Sequence, residues 1–267
     1  MTTIIARKTL FMKTSYTVTG PASAPWLTLS HPIGSDKKIW DGLTTRLAQH
    51  YQVLAYDVRG HGQSPMVEGA ASMDALADDC IALWDALGIT QSAFVGLSLG
   101  GCIGLALASK VPNRVRALTI ACSRLEMDEA AEKMWRDRAN LVLAQGMNGI
   151  VEATLERWLT EAWRQAHPQQ VLAIKTTLAG TSPSGFAYCA QALAQGQPLS
   201  RLGKLQMPVQ IMAGTDDKAV PTQFLKAYAQ QAAGSHWHEL PGSHLLPIEN
   251  EEMFAQALLQ FLAQVQP

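Results

Sequence analysis

The chain has 267 residues, 48% of them hydrophobic and 16% charged, with a formal net charge of −1. That length and apolar content suit one large α/β unit or a core carrying an inserted subdomain. No basic run exceeds Lys37-Lys38, so the charge pattern excludes a phosphate-tracking surface, and neither a nucleic-acid nor a membrane partner is expected.

Residues 1–13 hold short apolar stretches broken by Arg7 and Lys8 and lack the apolar core of a secretion signal, which predicts a cytoplasmic protein. The first strand expected is Trp26–Ser30, leading into the loop His31-Pro32-Ile33-Gly34-Ser35-Asp36 and a helix over Ile39–Ala48. A strand over Gln52–Tyr56 then runs into Asp57-Val58-Arg59-Gly60-His61-Gly62-Gln63-Ser64, whose glycines and charges suggest a phosphate or metal loop. That loop lacks the Lys-Ser/Thr ending of a phosphate loop and any second carboxylate or histidine at ligand spacing, so it reads as a structural turn.

After a helix over Met73–Leu87, a strand over Ser92–Gly96 gives way to a helix over Leu99–Val111 through Gly96-Leu97-Ser98-Leu99-Gly100. Glycines two residues either side of a serine permit a sharp strand-to-helix turn that a side chain there would block. The turn exposes a hydroxyl in front of a helix N-terminus, the usual setting of an activated nucleophile. A strand over Val115–Ala121 follows. From Arg124 to Leu202 no strand is evident, only helical stripes such as Val151, Leu155, Trp158, Leu159 and Ala162.

Strand and helix alternation returns at Val209–Ala213, which runs into Gly214-Thr215-Asp216-Asp217. A strand over Trp237–Leu240 ends in Pro241-Gly242-Ser243-His244, ahead of an amphipathic helix from Glu249 to Val265. Ser98, then a loop carboxylate, then His244 is the chain order expected of a nucleophile elbow with its acid and base. Asp217 is preferred as the acid, with Asp216 the alternative as a loop residue; Glu249 and Glu251 read as carboxylates favouring the last helix's dipole. The loop at Pro32-Ile33-Gly34 brings a backbone N–H near the nucleophile, so the N–H groups of Ile33 and Leu99 form the candidate oxyanion hole, and His31 shapes the turn.

The expected architecture is therefore α/β: a mostly parallel central sheet flanked by helices, with core segments 1–123 and 203–267 and an all-helical lid over 124–202. The uncharged runs Ala86–Ser109 and Thr176–Ser200 are punctuated by Gly, Ser, Pro and Gln and do not read as membrane spans. Cys80, Cys102, Cys122 and Cys189 lack C-x-x-C spacing, which points away from a disulfide framework and a metal site. Oligomeric state is not legible.

His31-Pro32-Ile33-Gly34, Asp57 to Ser64, Gly96 to Gly101, Gly214 to Asp217 and Pro241 to His244 together resemble the α/β-hydrolase superfamily over nearly the whole chain. Within it the chain is similar to the 3-oxoadipate enol-lactonases, on Ile33-Gly34-Ser35-Asp36 with Trp40-Asp41, Trp135-Arg136-Asp137-Arg138 with Gly146-Met147, Glu156-Arg157-Trp158-Leu159-Thr160, and Thr181 to Phe186. Those enzymes commonly carry a Ser-Leu-Gly oxyanion loop, whereas His31-Pro32-Ile33-Gly34 is shared with many esterases.

The resemblance implies cofactor-free opening of a small lactone through an acyl-enzyme, with Ser98 as nucleophile, His244 as base and Asp217 holding the imidazole. It also implies a substrate carboxylate, for which Arg138 and Arg124 are candidates, with Trp135 and Trp158 lining the lid. A carboxylesterase or another lactonase is the rival enzyme reading. A small-ligand binding module on the same fold is the non-enzyme one.

Overall fold

The strand Ser92–Leu97 is buried at every position, as befits a strand covered on both faces by crossover helices. In the computed structural model, which describes residues 14–196, 199–232 and 234–265, that strand is β4. The others are β1 (Tyr16–Thr19), β2 (Trp26–Ser30), β3 (Gln52–Tyr56), β5 (Val115–Ala121), β6 (Val209–Gly214) and β7 (His236–Leu240). They form a seven-stranded sheet in the order β1-β3-β2-β4-β5-β6-β7. Only β1, against β3, is antiparallel. The chain thus has an α/β fold with a mostly parallel sheet.

The sequence reading began at Trp26 and missed β1. All residues of β1 are exposed, so this edge strand has neither the apolar run nor the buried alternation that signals a strand. The leader reading of residues 1–13, and residues 197 and 198 of the 124–202 segment, lie outside the described residues.

Helices on the sheet are α1 (Asp41–Leu47), α2 (Met73–Leu87) and α3 (Leu99–Lys110). The expected helix over Ile39–Ala48 starts instead as a 3₁₀ turn, Lys37–Trp40, where Asp36 accepts a bond from the Lys38 N–H at 2.9 Å. Helix α2 is capped by Ser72, whose hydroxyl accepts from the Ala75 N–H at 3.1 Å.

Between β5 and β6 the described chain carries only helices: α4 (Glu129–Gln145), α5 (Val151–Trp158), α6 (Glu161–Ala166), α7 (Pro168–Gly180) and α8 (Pro183–Ala194), with short 3₁₀ turns. Of the stripe expected there, Val151, Leu155, Trp158 and Leu159 are buried but Ala162 is exposed. The helical register is lost because α5 ends at Trp158 and Leu159 is extended, with φ −134° and ψ 140°.

The C-terminal part adds α9 (Thr222–Gln231), α10 (Leu246–Glu249) and α11 (Glu251–Gln264). The single last helix expected from Glu249 is in fact broken at Asn250. Glu249 therefore ends α10, and the acidic residues in the first turn of the last helix are Glu251 and Glu252. Helix α11 buries Phe254, Leu258, Phe261 and Leu262. All four cysteines are free and buried. Among the described residues no helix is long and apolar enough to cross a membrane.

The strand order runs back from β3 to β2 and then forward to β4, so the crossovers part between β2 and β4. Open α/β sheets bind ligands outside the carboxyl ends of strands at such a point. Here Ser30, the last residue of β2, pairs with Gly96 of β4, which brings the loops carrying Ile33 and Ser98 side by side.

Candidate active site

Ser98 leaves β4 and caps α3 with φ 57° and ψ −112°, a backbone state that side chains rarely occupy. Its N–H donates to the Ala121 carbonyl at 2.8 Å, tying the turn to β5. A β-carbon at Gly96 would lie 2.1 Å from the Gly100 carbonyl oxygen, and one at Gly100 would lie 2.1 Å from that of Ser30. The glycine spacing in the sequence is therefore a packing requirement of the turn.

Asp217 follows β6 and His244 follows β7, and the two are 6% and 2% exposed. His244 Nδ1 lies 2.9 Å from Asp217 Oδ2. Asp217 Oδ1 accepts from the N–H groups of Ala219 and Val220, both at 2.8 Å. A carboxylate only accepts, so the imidazole donates from Nδ1 and keeps a lone pair on Nε2. Asp216 is exposed and accepts from its neighbour's hydroxyl, Thr215 Oγ1, at 2.7 Å. Trp158 stacks on the imidazole, with centroids 6.3 Å apart and planes 23° from parallel.

Ser98, His244 and Ile33 line one cavity of about 300 Å³. Among the described residues, the backbone N–H groups of Ile33 and Leu99 donate to no protein acceptor. The loop carrying Ile33 is braced by His31, whose Nδ1–H donates to the Pro32 carbonyl at 2.8 Å while Nε2 accepts from the Val58 N–H at 2.9 Å. That pattern needs a neutral ring, and burial lowers the His31 pKa against the opposing pull of the Pro32 carbonyl.

The Asp57–Ser64 segment is a structural turn built around one carboxylate. Asp57 accepts from Lys37 Nζ and the Lys37 N–H, each at 2.8 Å, and from the Gln63 N–H at 3.0 Å. Burial alone would raise its pKa, but these donors, the Gln63 N–H foremost, hold it below the usual carboxylate value.

Most of the remaining cavity wall comes from the helical segment, including Trp135, Arg138, Arg157 and Trp158, with Cys102, Ala219 and Val220 completing it. Arg138 Nη2 donates to Thr154 Oγ1 at 2.8 Å, its Nε is buried without a hydrogen-bond partner, and its guanidinium lies over the rings of Trp135 and Phe186 at 5.6 and 5.8 Å. Burial, with the like charge of Arg157 second, pushes the Arg138 pKa down to about 10. Arg157, which the sequence reading did not single out as a site residue, has a guanidinium whose one hydrogen bond among the described residues is to the Met134 sulfur, at 3.7 Å. Burial lowers its pKa while the charge of Asp217 pulls the other way. Neither arginine forms an ion pair among the described residues.

Arg124, the other sequence candidate, also lines the cavity, but its guanidinium is paired with Asp128 at 2.8 Å and sits over Phe224. Of the cations foreseen, Arg138 is thus available and Arg124 is engaged; Arg157 is the unforeseen addition. Among the described residues no group of three or more His, Cys, Asp or Glu is placed to hold a metal ion.

The alpha/beta hydrolase fold family matches residues 25–251. The chain is 31% identical to 3-oxoadipate enol-lactonase 2 of Acinetobacter baylyi, over 91% of each chain. It is 29% identical to RutD of Variovorax paradoxus, a protein named for carbamate hydrolysis, over 95% of this chain and 97% of that one. The solved structure of the enol-lactonase from Burkholderia xenovorans LB400 is similar with a TM-score of 0.91 and 29% identity, covering 94% of this chain and 96% of that one.

Proposed function

Because the chain belongs to the α/β-hydrolase family and is a hydrolase, we propose that it opens a small lactone bearing a free carboxylate, such as 3-oxoadipate enol-lactone, through an acyl-enzyme on Ser98. The observation that carries this reading is His244, paired with Asp217 at 2.9 Å, sharing a cavity with Ser98 and with two arginines that have no acidic partner among the described residues.

His244 Nε2 takes the Ser98 proton as the hydroxyl oxygen attacks the lactone carbonyl, and Asp217 holds the ring in the tautomer that allows this. The oxyanion rests on the N–H groups of Ile33 and Leu99, each worth about 3 kcal/mol in comparable acyl transfers. The ring C–O bond breaks as His244 hands its proton to the leaving enolate oxygen, and the enol so released becomes a ketone. Water, deprotonated by His244, then attacks the acyl carbon and frees Ser98. Arg138 orients the substrate by its carboxylate.

A second reading, hydrolysis of a neutral ester, draws on the His31-Pro32-Ile33-Gly34 loop shared with many esterases. Rates on a carboxylated enol-lactone, a neutral aryl ester and a simple carbamate separate these, with the enol-lactone expected to be fastest. Ser98→Ala is expected to lower kcat by about ten-thousand-fold or more with the fold intact. A faster aryl ester, or a Ser98→Ala protein of undiminished activity, overturns the proposal.

A further inference from the structure

The cavity carries more positive charge than one substrate carboxylate needs. Two of its cations are already neutralised or excluded from this count: Arg124 by Asp128, and any charge on His244 by Asp217. Arg138 and Arg157 remain, and each is half-buried while lining the same cavity. Asp217 is the acidic group whose charge reaches Arg157, yet both its oxygens are taken, Oδ2 by His244 and Oδ1 by the Ala219 and Val220 N–H groups. Two half-buried guanidiniums near one another, without a carboxylate, are costly unless an anion joins them.

Their surroundings differ. Arg138 stands on α4 between Trp135 and Phe186, bonded to Thr154. Arg157 stands at the end of α5, beside the ring that stacks on His244, and its backbone carbonyl accepts from the Ser243 hydroxyl at 3.4 Å. It is therefore the cation on the His244 side of the cavity, where the acyl group is released.

We propose that the site holds two carboxylates at once: Arg138 takes the one the substrate brings, and Arg157 takes the one that hydrolysis creates, so that the preferred ligand is an aliphatic dicarboxylate. This rests on the serine-hydrolase reading above. In the second half-reaction the water oxygen bonds to the acyl carbon, the bond from that carbon to Ser98 Oγ breaks, Ser98 regains its hydroxyl, and one proton leaves. The new acid group is ionised at neutral pH and appears within the cavity that Arg157 lines. A monoanionic ester or lactone thereby becomes a dianion, and two bidentate-capable guanidiniums match a dianion better than the substrate. The consequence is marked product inhibition. The reaction that follows must consume a free diacid.

Competitive inhibition by adipate and by hexanoate, the monocarboxylate of equal length, tests this on the intact enzyme. Adipate is expected to bind about tenfold or more tightly than hexanoate. Arg157→Met is expected to bring adipate to the level of hexanoate, and Arg138→Met to weaken both acids. Equal binding of the two acids by the unmodified protein overturns the proposal whatever the variants do, and so does an adipate preference that survives in a folded Arg157→Met protein. Neither result touches the assignment of Ser98, which stands or falls on Ser98→Ala.

Discussion

Glu249 joins α10 to the turn after α5: its Oε1 accepts the backbone N–H of Thr160 at 2.6 Å and the Thr160 hydroxyl at 2.9 Å. Its Oε2 accepts the N–H of Ser243, the residue before His244. In parallel, the Leu245 N–H donates to the Trp158 carbonyl at 3.0 Å. The turn presenting Arg157 and Trp158 is thus strapped to the turn presenting His244 by a single carboxylate and its neighbours. Glu249→Ala is expected to lower kcat by about tenfold or more and to raise KM, because both the imidazole and the cavity wall lose a support. The lost acceptor should also cost about 1–3 kcal/mol of stability. Glu249→Gln, which keeps one acceptor oxygen, should fall between. As a control, Glu251→Ala removes only the exposed pair with Arg46 and should leave kcat within about twofold. Steady-state kinetics at a temperature where all three variants are folded decide this, and unchanged kcat and KM in Glu249→Ala refute it.

Ser98 is one of the two non-glycine residues at positive φ among those described, the other being Cys122. Such strain costs about 1–3 kcal/mol, part of which glycine would relieve, less about 0.5–1 kcal/mol for its greater freedom when unfolded. Ser98→Gly should therefore melt about 2 °C higher than the parent while losing hydrolysis. A melting temperature below that of the parent would show the elbow to be unstrained.

How much of this could be read in the sequence differs from residue to residue for physical reasons. The elbow was legible because glycine at 96 and 100 is imposed by backbone contacts only 2.1 Å away, and such constraints leave a fixed spacing. His244 was legible from its place after a strand. Asp217 was preferred over Asp216 from its spacing to Gly214 and Pro221, and it is Asp217 that bonds to His244 Nδ1. Arg157 was missed because, beside Glu156, it looks like an ordinary solvated helix charge. A trace was present all the same: it lies three residues after Thr154 and one before Trp158, both buried, at the margin of the inward stripe. Glu249 was misread because the break at Asn250 depends on tertiary bonds, including Asn250 Nδ2 to the Pro241 carbonyl at 2.9 Å, and helix periodicity alone runs through it.

Asp57 is the anchor between Lys37, just after the loop carrying Ile33, and the turn after β3, and removing it leaves the Lys37 ammonium, a tenth exposed, with no acid among the described residues. Breaking one side of a buried pair costs about 3–5 kcal/mol. Asp57→Ala should lose that much in urea unfolding, whereas Asp57→Asn, whose one amide oxygen can still accept from either the Lys37 or the Gln63 N–H, should lose less. Combining Asp57→Ala with Lys37→Met should recover part of the loss, because no unpaired charge is then buried. A double variant no more stable than Asp57→Ala would place the cost elsewhere than in the ion pair.

The buried pair His31 and His61, with ring centroids 5.5 Å apart, ties stability to pH. Burial lowers the pKa of His31, and burial followed by the nearness of His31 takes His61 down to about 3. The unfolded chain binds a proton at each of these rings near pH 6.5, and the folded chain does not. Acid therefore favours unfolding. The contribution of these residues is fully present above about pH 6.5 and declines as pH falls, for His61 by about 1.4 kcal/mol per pH unit until its folded-state pKa is passed. For His61 that window extends to about 3. Between pH 7.5 and 5.5 the His61 ring should remove about 1.4 kcal/mol from the unfolding free energy measured in urea, and His31 acts in the same direction. His61→Phe keeps the ring volume, gives up the bond from Nδ1 to the Arg59 carbonyl at 3.1 Å, and should flatten the pH slope. The diagnostic quantity is the slope, since a variant that is merely less stable at every pH shifts the curve without tilting it. A His61→Phe protein with the parent's slope would mean that the ring is protonated in the folded state after all.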